Sequence, residues 1–399
     1  DRDRASLVAD DGDYAFDPIL YDMTDLGLHT YTVVEKAGTT LGGIDYDDTE
    51  YTVQVNVSDN GDGTLHIVKS ENFDDLDFTN TYTSIGSLEM SGKKTLTGRA
   101  LASGEFVFEL FEGTDTTGTA FRTATNAADG TYKFTAIEYD LGDVGTKTYT
   151  VRERNNGLGG VTYAVNTYTV TVDIKDNGDG TLDVDPSSNY NALNFTNTYA
   201  ATGSLTLSGQ KTLNGRALVP GEFTFEVYAG NTATGTPIRT ATNGTGGVIS
   251  FTAIPYTLAD VGSKVYTVVE KAGSLGGVTY ATTEYTVTVT IADGGNGQLT
   301  VTPSANHDDL DFTNTYAASG SLTLSGQKTL SGRTLVPGEF TFEVYLGDSA
   351  TGTPIRTTTN GTGGVISFAP IPYTLADVGS KTYTVVEKSG SLGGVTYST

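Results

Sequence analysis

Three residues recur along this chain at fixed distances, and each interrupts the apolar face of the strand that carries it. They are a lysine in Lys-Thr-Leu, a glutamate in Tyr-x-Val-x-Glu and an asparagine in Phe-Thr-Asn-Thr-Tyr. Lys211, Glu270 and Asn314 form one set and Lys94, Glu153 and Asn197 another, with the lysine 59 residues before the glutamate and the glutamate 44 before the asparagine. In Leu205, Leu207, Gly209, Lys211 and Leu213 every second residue shares a face that is apolar except for the lysine. The same parity groups Tyr266 and Val268 with Glu270, and Phe312 and Tyr316 with Asn314. An amine, a carboxyl and a carboxamide are thus aimed into a core, where an unpaired polar group costs roughly 2 to 7 kcal/mol.

Covalent chemistry among the three accounts for that burial. Desolvation favours the neutral, nucleophilic amine and the protonated carboxyl. The Lys211 amine would attack the side-chain carbonyl carbon of Asn314 while Glu270 polarises that carbonyl and carries protons to the departing ammonia. The product is a Lys–Asn isopeptide bond, formed once per site and without a cofactor. A buried Lys–Glu ion pair with asparagine as a hydrogen-bond partner would satisfy the same three groups. Recurrence of the whole trio weighs against it, because an ion pair in a core is of uncertain net benefit. In the other set Lys93 and Lys94 are adjacent, and parity with Leu88, Met90 and Leu96 selects Lys94.

The elements that must position these groups repeat as well. Lys94, Lys211 and Lys328 stand 117 residues apart, a whole domain and far longer than a solenoid repeat of about 20 to 50 residues. The spacing predicts two complete domains, 84–200 and 201–317, flanked by a partial domain 1–83 lacking its N-terminal strands and a partial domain 318–399 lacking its C-terminal strands. Glu35 and Asn80 in the first, and Lys328 and Glu387 in the last, are then left without a full set within these 399 residues. A window cut from a longer tandem array explains this. Mutual completion of successive chains by their ends is less favoured, because both partial domains contain the central strands.

Within residues 201–317, β-branched and aromatic residues at period two predict strands near 204–213, 222–228, 247–253, 264–271, 283–291, 298–302 and 310–316. Turn signals separate them at Asn214-Gly215, Asn243-Gly244, Gly276-Gly277 and Asn296-Gly297. The expected class is all-β: tandem immunoglobulin-like sandwiches of about seven short antiparallel strands in an elongated array. Helix is expected at most as a turn around Leu258 to Val261. Junctions such as Ala200-Ala201-Thr202-Gly203 are short and free of proline, so neighbouring domains should be closely coupled.

Composition removes several function classes. Net charge is −25 and no basic stripe exists to neutralise phosphates, which argues against nucleic acid and against anionic membrane surfaces. No apolar run approaches the roughly 20 residues of a membrane span. The absence of cysteine excludes disulfide stapling and thiol chemistry, so ruggedness must come from elsewhere.

With the lysine strand, the Tyr-x-Val-x-Glu strand and the Phe-x-Asn strand in order, the chain resembles the isopeptide-forming pilin and adhesin stalk domains of Gram-positive surface proteins. These are of the collagen-adhesin B-region (CnaB-like) type, with the streptococcal pilin kind of isopeptide linkage. The resemblance covers both complete domains and both partial ones. It implies autocatalytic crosslinks Lys94–Asn197 and Lys211–Asn314 with Glu153 and Glu270 as catalytic residues, no cofactor and no metal. It also implies an extracellular, cell-surface or wall-attached location, with further repeats or copies of the same fibre as partners and any host ligand engaged by regions outside this sequence. The chain departs from sortase-assembled pilin subunits in showing no pilin-linking lysine motif and no sorting signal.

Other candidates are weaker. Asp59-Asn60-Gly61-Asp62-Gly63 and Asp176-Asn177-Gly178-Asp179-Gly180 look like calcium loops but lack the later bidentate glutamate and sit where a hairpin must turn, so they are read as turns. His29, His66 and His307 occupy non-equivalent positions and are expected at the surface. The Thr286, Thr288, Thr290 face is expected to be solvated, and so are the charges of Gly98-Arg99, Gly215-Arg216 and Gly332-Arg333. The reading that results is a structural stalk or fibre segment without enzymatic turnover. The rival is an adhesin module that binds a host protein or glycan through its domain faces. Near-identity of the third and fourth repeats favours a spacer, since a binding tip is normally unique.

Overall fold

The structure, a computed structural model, describes residues 7–8, 12–38 and 42–398. It is all-β, with only single-turn 3₁₀ segments between strands, one of them at Leu258–Asp260 where a turn of helix was expected. No helix among the described residues is long and apolar enough to cross a membrane. Residues 1–199 and 200–399 form two compact units.

The third repeat shows how the sequence builds a sandwich. One sheet has five strands in the order Arg239–Thr242, Thr224–Ala229, Gly262–Glu270, Glu284–Asp293 and Leu299–Pro303. Its fourth strand illustrates the period-two pattern, with Val287, Val289 and Ile291 buried while Thr286, Thr288 and Thr290 face solvent. The other sheet has the order Val248–Ser250, Ser208–Asn214, Phe312–Tyr316 and Val278–Thr279. Phe223, Phe225, Val227, Val268, Leu310 and Phe312 fill the space between, each at most 1% exposed. The second repeat has the same two sheets around its own core, in which Phe106, Phe108, Leu110, Val151, Val170 and Phe195 are fully buried.

Three features differ from the expectation. The run 204–213 is not one strand: Thr202–Leu205 pairs with Ile254–Thr257, and Ser208–Asn214 pairs with different neighbours. The lysine strand and the asparagine strand are parallel, not antiparallel, with Lys211 beside Phe312 and Leu213 beside Asn314. No hairpin joins these two strands; the whole domain lies between them, so hairpin geometry does not set their direction. The short strands Arg239–Thr242, Ile254–Thr257 and Val278–Thr279 were not foreseen. Gly215, at φ +99°, lets the chain leave the lysine strand against the end of the asparagine strand, where a β-carbon would lie 2.2 Å from the Tyr316 carbonyl oxygen.

The flanking repeats hold fewer strands. The first has a three-stranded sheet of Gly27–Val34, Glu50–Asp59 and Leu65–Lys69, with Ile44–Asp45 paired to Thr81–Tyr82. The fourth keeps Arg356–Thr359, Thr341–Leu346 and Tyr383–Glu387 as one sheet, and its lysine-side strand Ser325–Gln327 pairs only with Val365–Ser367.

Candidate functional site

Lysine and asparagine come from adjacent strands of one sheet, and glutamate reaches across the core from the other. Glu270 ends the Gly262–Glu270 strand beside Phe225, and Glu153 sits equivalently beside Phe108. Because Lys211 is registered against Phe312, its long side chain must lean two positions along the strand to reach the level of Asn314. All six groups are buried: Lys94 and Lys211 are 1% exposed, and Asn197 and Asn314 are 0%.

In the third repeat the Lys211 amine donates to Glu270 Oε2 at 2.8 Å, and Asn314 Nδ2 donates to Glu270 Oε1 at 2.7 Å. Both groups that would react therefore meet on one carboxylate. In the second repeat Asn197 Nδ2 donates to Glu153 Oε1 at 2.8 Å, and Lys94 Nζ lies 2.6 Å from that same oxygen, within ion-pair range but outside hydrogen-bonding alignment. Each amine also lies over an aromatic face, Lys94 over Phe106 at 4.5 Å and Lys211 over Phe223 at 4.6 Å. Burial pushes the Lys94 and Lys211 amines below their ordinary pKa, against the opposing pull of the glutamates.

The asparagine carbonyl has a different partner from the one expected. Asn314 Oδ1 accepts from the Ala281 backbone N–H at 2.7 Å, Asn197 Oδ1 from Ala164 N–H at 2.7 Å, and Asn80 Oδ1 from Asp47 N–H at 2.8 Å. A backbone N–H can only donate, so this contact fixes which end of each carboxamide is oxygen. Glutamate thus faces the amide nitrogen, not the carbonyl oxygen. No sequence signal marks the donors, since the group involved belongs to every residue but proline.

The flanking repeats hold the same geometry with one member missing. Asn80 Nδ2 donates to Glu35 Oε1 at 2.7 Å, and Lys328 Nζ donates to both Glu387 oxygens at 2.7 and 2.8 Å. Arg99 and Arg216 also differ from the expected solvated charges, being half-buried, while Arg333 is exposed as expected. Arg99, Arg216 and Arg333 each grip a glutamate six residues on, Glu105, Glu222 and Glu339, with two guanidinium nitrogens. Arg99 also stacks over Tyr199 and Arg216 over Tyr316, which tethers the loop after each lysine strand to the end of the asparagine strand. These charges are structural clamps because the tyrosine two residues after the asparagine supplies a face for them.

Among the described residues no cluster of His, Asp or Glu could hold a metal ion. Asp59–Gly63 and Asp176–Gly180 are hairpin turns. His66 is exposed, while His29 and His307 are half-buried and bonded to the Asp25 and Ser304 carbonyls.

The sequence profile of the FctA family, described as the Spy0128-like isopeptide containing domain, matches residues 2–83, 90–200, 207–317 and 324–399. Among solved structures the chain is similar to the Bacillus anthracis TIE protein, at 15% identity over 90% of this chain and 63% of that one, with a TM-score of 0.20. It is also similar to the major pilin from Streptococcus pyogenes, at 18% identity over 58% of this chain and 96% of that one, TM-score 0.21. A third is the C-terminal fragment of the pilus adhesin SpaC from Lactobacillus rhamnosus GG, at 15% identity over 57% of this chain and 96% of that one, TM-score 0.21. No curated protein sequence matches the chain.

Proposed function

The chain belongs to the family of Spy0128-like isopeptide containing domains, and we propose that it is a structural stalk or fibre segment whose second and third repeats lock themselves with the bonds Lys94–Asn197 and Lys211–Asn314. The observation that carries this reading is the convergence of the Lys211 amine and the Asn314 amide nitrogen on the two oxygens of one buried carboxylate.

The chemistry uses only groups present. The neutral Lys211 amine attacks Asn314 Cγ, and negative charge moves onto Oδ1, where the Ala281 N–H already donates and acts as an oxyanion-hole donor. Glu270 takes a proton from the attacking nitrogen and delivers it to Nδ2, to which it is already bonded. The Cγ–Nδ2 bond breaks, the Nζ–Cγ bond remains, and ammonia leaves. Water, the competing nucleophile, is excluded by the aromatic and aliphatic core. Each site reacts once and nothing turns over.

A crosslink closing a loop of about 100 residues stabilises a domain by roughly 4 to 5 kcal/mol in the chain-entropy treatment of such links. It joins the lysine strand near the start of the repeat to the asparagine strand at its end, so tension passes through covalent bonds, and reductants do not undo it. In the first and fourth repeats these 399 residues hold only two members of the trio, Glu35 with Asn80 and Lys328 with Glu387. The fibre reading places the protein at a bacterial cell surface, in contact with further repeats or copies of itself.

Intact mass tests the bond. The folded chain should weigh about 34 Da less than its sequence, roughly 17 Da of ammonia for each site. Full sequence mass in folded protein would sink the proposal.

A further inference from the structure

The first and second repeats meet through a joint that no crosslinking group takes part in. Tyr82, two residues past Asn80, donates its hydroxyl to Asp176 Oδ1 at 2.8 Å and accepts from the Gly180 N–H at 3.2 Å. Around this contact the two backbones touch directly. A β-carbon at Gly42 would lie 2.1 Å from the Asp179 carbonyl oxygen, and one at Gly43 would lie 2.5 Å from Gly180 Cα. The linker is tied to both sides, with Thr83 N–H donating to Gly43 O and Ile85 N–H to Gly180 O, and Ser84 between them is 1% exposed. A connection hydrogen-bonded at both ends, with its middle residue buried, is unlike the free linkers that permit independent domain motion.

The tip brings this shape ready-made. Asp59-Asn60-Gly61-Asp62-Gly63 has the same five residues as Asp176-Asn177-Gly178-Asp179-Gly180. Its glycines at 61 and 63 adopt φ +75° and +85°, against +72° and +87° at 178 and 180, and the same Asn-to-Thr side-chain bond of 3.0 Å braces each. Gly61 and Gly63 nevertheless face open space. The conformation therefore belongs to the tip itself and is not imposed by what it touches, which cuts the ordering cost of docking.

We infer that the Asp176–Gly180 hairpin tip is a coupling surface whose partner is the end of a preceding repeat of this kind, recognised by a Gly-Gly turn and the tyrosine that closes the asparagine strand. Glycine is required on both sides because any side chain would hold the backbones apart. The tyrosine hydroxyl, as donor to Asp176 and acceptor from Gly180, fixes the rotation. The joint makes the connection between repeats stiff through contacts in which none of the crosslinking groups takes part.

The chain has no cysteine, so Thr52→Cys and Thr171→Cys, both exposed, place spin labels on the first and second repeats alone. Pulsed dipolar spectroscopy on the full chain should give one narrow distance distribution. Gly42→Ala should widen it about twofold or more, towards the independent motion expected of weakly joined domains. Tyr82→Phe and Asp176→Asn should each widen it less. Gly42 is not at a left-handed φ, so alanine there strains only the joint. Should Gly42→Ala also lower the melting temperature, the two polar variants decide alone. A broad distribution in the unaltered chain, or an unchanged width in Tyr82→Phe and Asp176→Asn, overturns the inference.

Discussion

The third and fourth repeats are near copies over residues 201–282 and 318–399, yet their lysines live in different surroundings. Lys211 has a side chain 0% exposed and Lys328 one 12% exposed; Val268 is 0% exposed and its counterpart Val385 is 49%. The lysine strand runs through Lys211 to Asn214 in the third repeat but ends at Gln327 in the fourth, before the lysine. What differs is the presence of strands equivalent to Glu284–Asp293, Leu299–Pro303 and Phe312–Tyr316. Those late strands, not the lysine strand's own sequence, seal the site. The glutamates differ too. Lys328 holds both oxygens of Glu387, whereas Asn314 claims one oxygen of Glu270 and leaves Lys211 only the other. The asparagine thus takes one of the two carboxylate oxygens that the fourth repeat leaves to its lysine.

The comparison breaks most decisively if the third repeat is made to behave like the fourth. Glu270→Ala should abolish the Lys211–Asn314 bond, halve the mass deficit to about 17 Da, and destabilise that repeat by at least the roughly 4 to 5 kcal/mol of the lost link. An undiminished yield of the Lys211–Asn314 peptide from this variant would remove glutamate from the mechanism. The reverse change sharpens the contrast: appending a copy of residues 283–317 after Thr399 should bury Lys328 and raise the deficit to about 51 Da. A deficit that stays near 34 Da would show that late strands are not what the fourth repeat lacks.

A smaller effect concerns the free amine. In Asn314→Ala, Lys211 stays buried and unlinked, and its folded-state pKa lies below the ordinary 10.5. The unfolded chain then binds more protons than the folded one in that window, so the stability of this repeat should rise with pH up to about 10.5 and level off beyond. The crosslinked chain should show no such rise from this group, which denaturant titrations between neutral and alkaline pH would check. Smallest is the clamp: Arg216→Ala should lower the melting temperature of the third repeat slightly and leave the mass deficit whole, whereas the same change at Arg333, which stacks on no tyrosine among the described residues, should shift the fourth repeat less.

The trio itself was legible because a charge or amide at an apolar position of a period-two strand breaks a simple pattern, and because it breaks it twice at equal spacing. Parity alone chose Lys94 over Lys93, and the structure buries the first and exposes the second. The parallel pairing of lysine and asparagine strands was not legible, since alternation specifies a face and says nothing of direction. The Ala281 and Ala164 donors were invisible for a different reason: a main-chain N–H leaves no trace in residue identity. Arg216 was misjudged because its partner Glu222 lies across a turn and Tyr316 a hundred residues on, beyond any local pattern.

Placing the glutamate on one sheet and the lysine and asparagine on the other sets an order of events during biosynthesis. The lysine is made first, the glutamate next, and the asparagine only about 100 residues after the lysine, a separation that makes its docking a late, non-local step of folding. Until that last strand seats, the proposed reaction could not occur, so the unfolded polypeptide would stay linear and threadable. Once it seats, the proposed reaction would seal a domain whose every layer is already in place. Ammonia release by the proposed chemistry would then be a chemical record that folding has finished, written first by the second repeat and then by the third, in the order the ribosome delivers them.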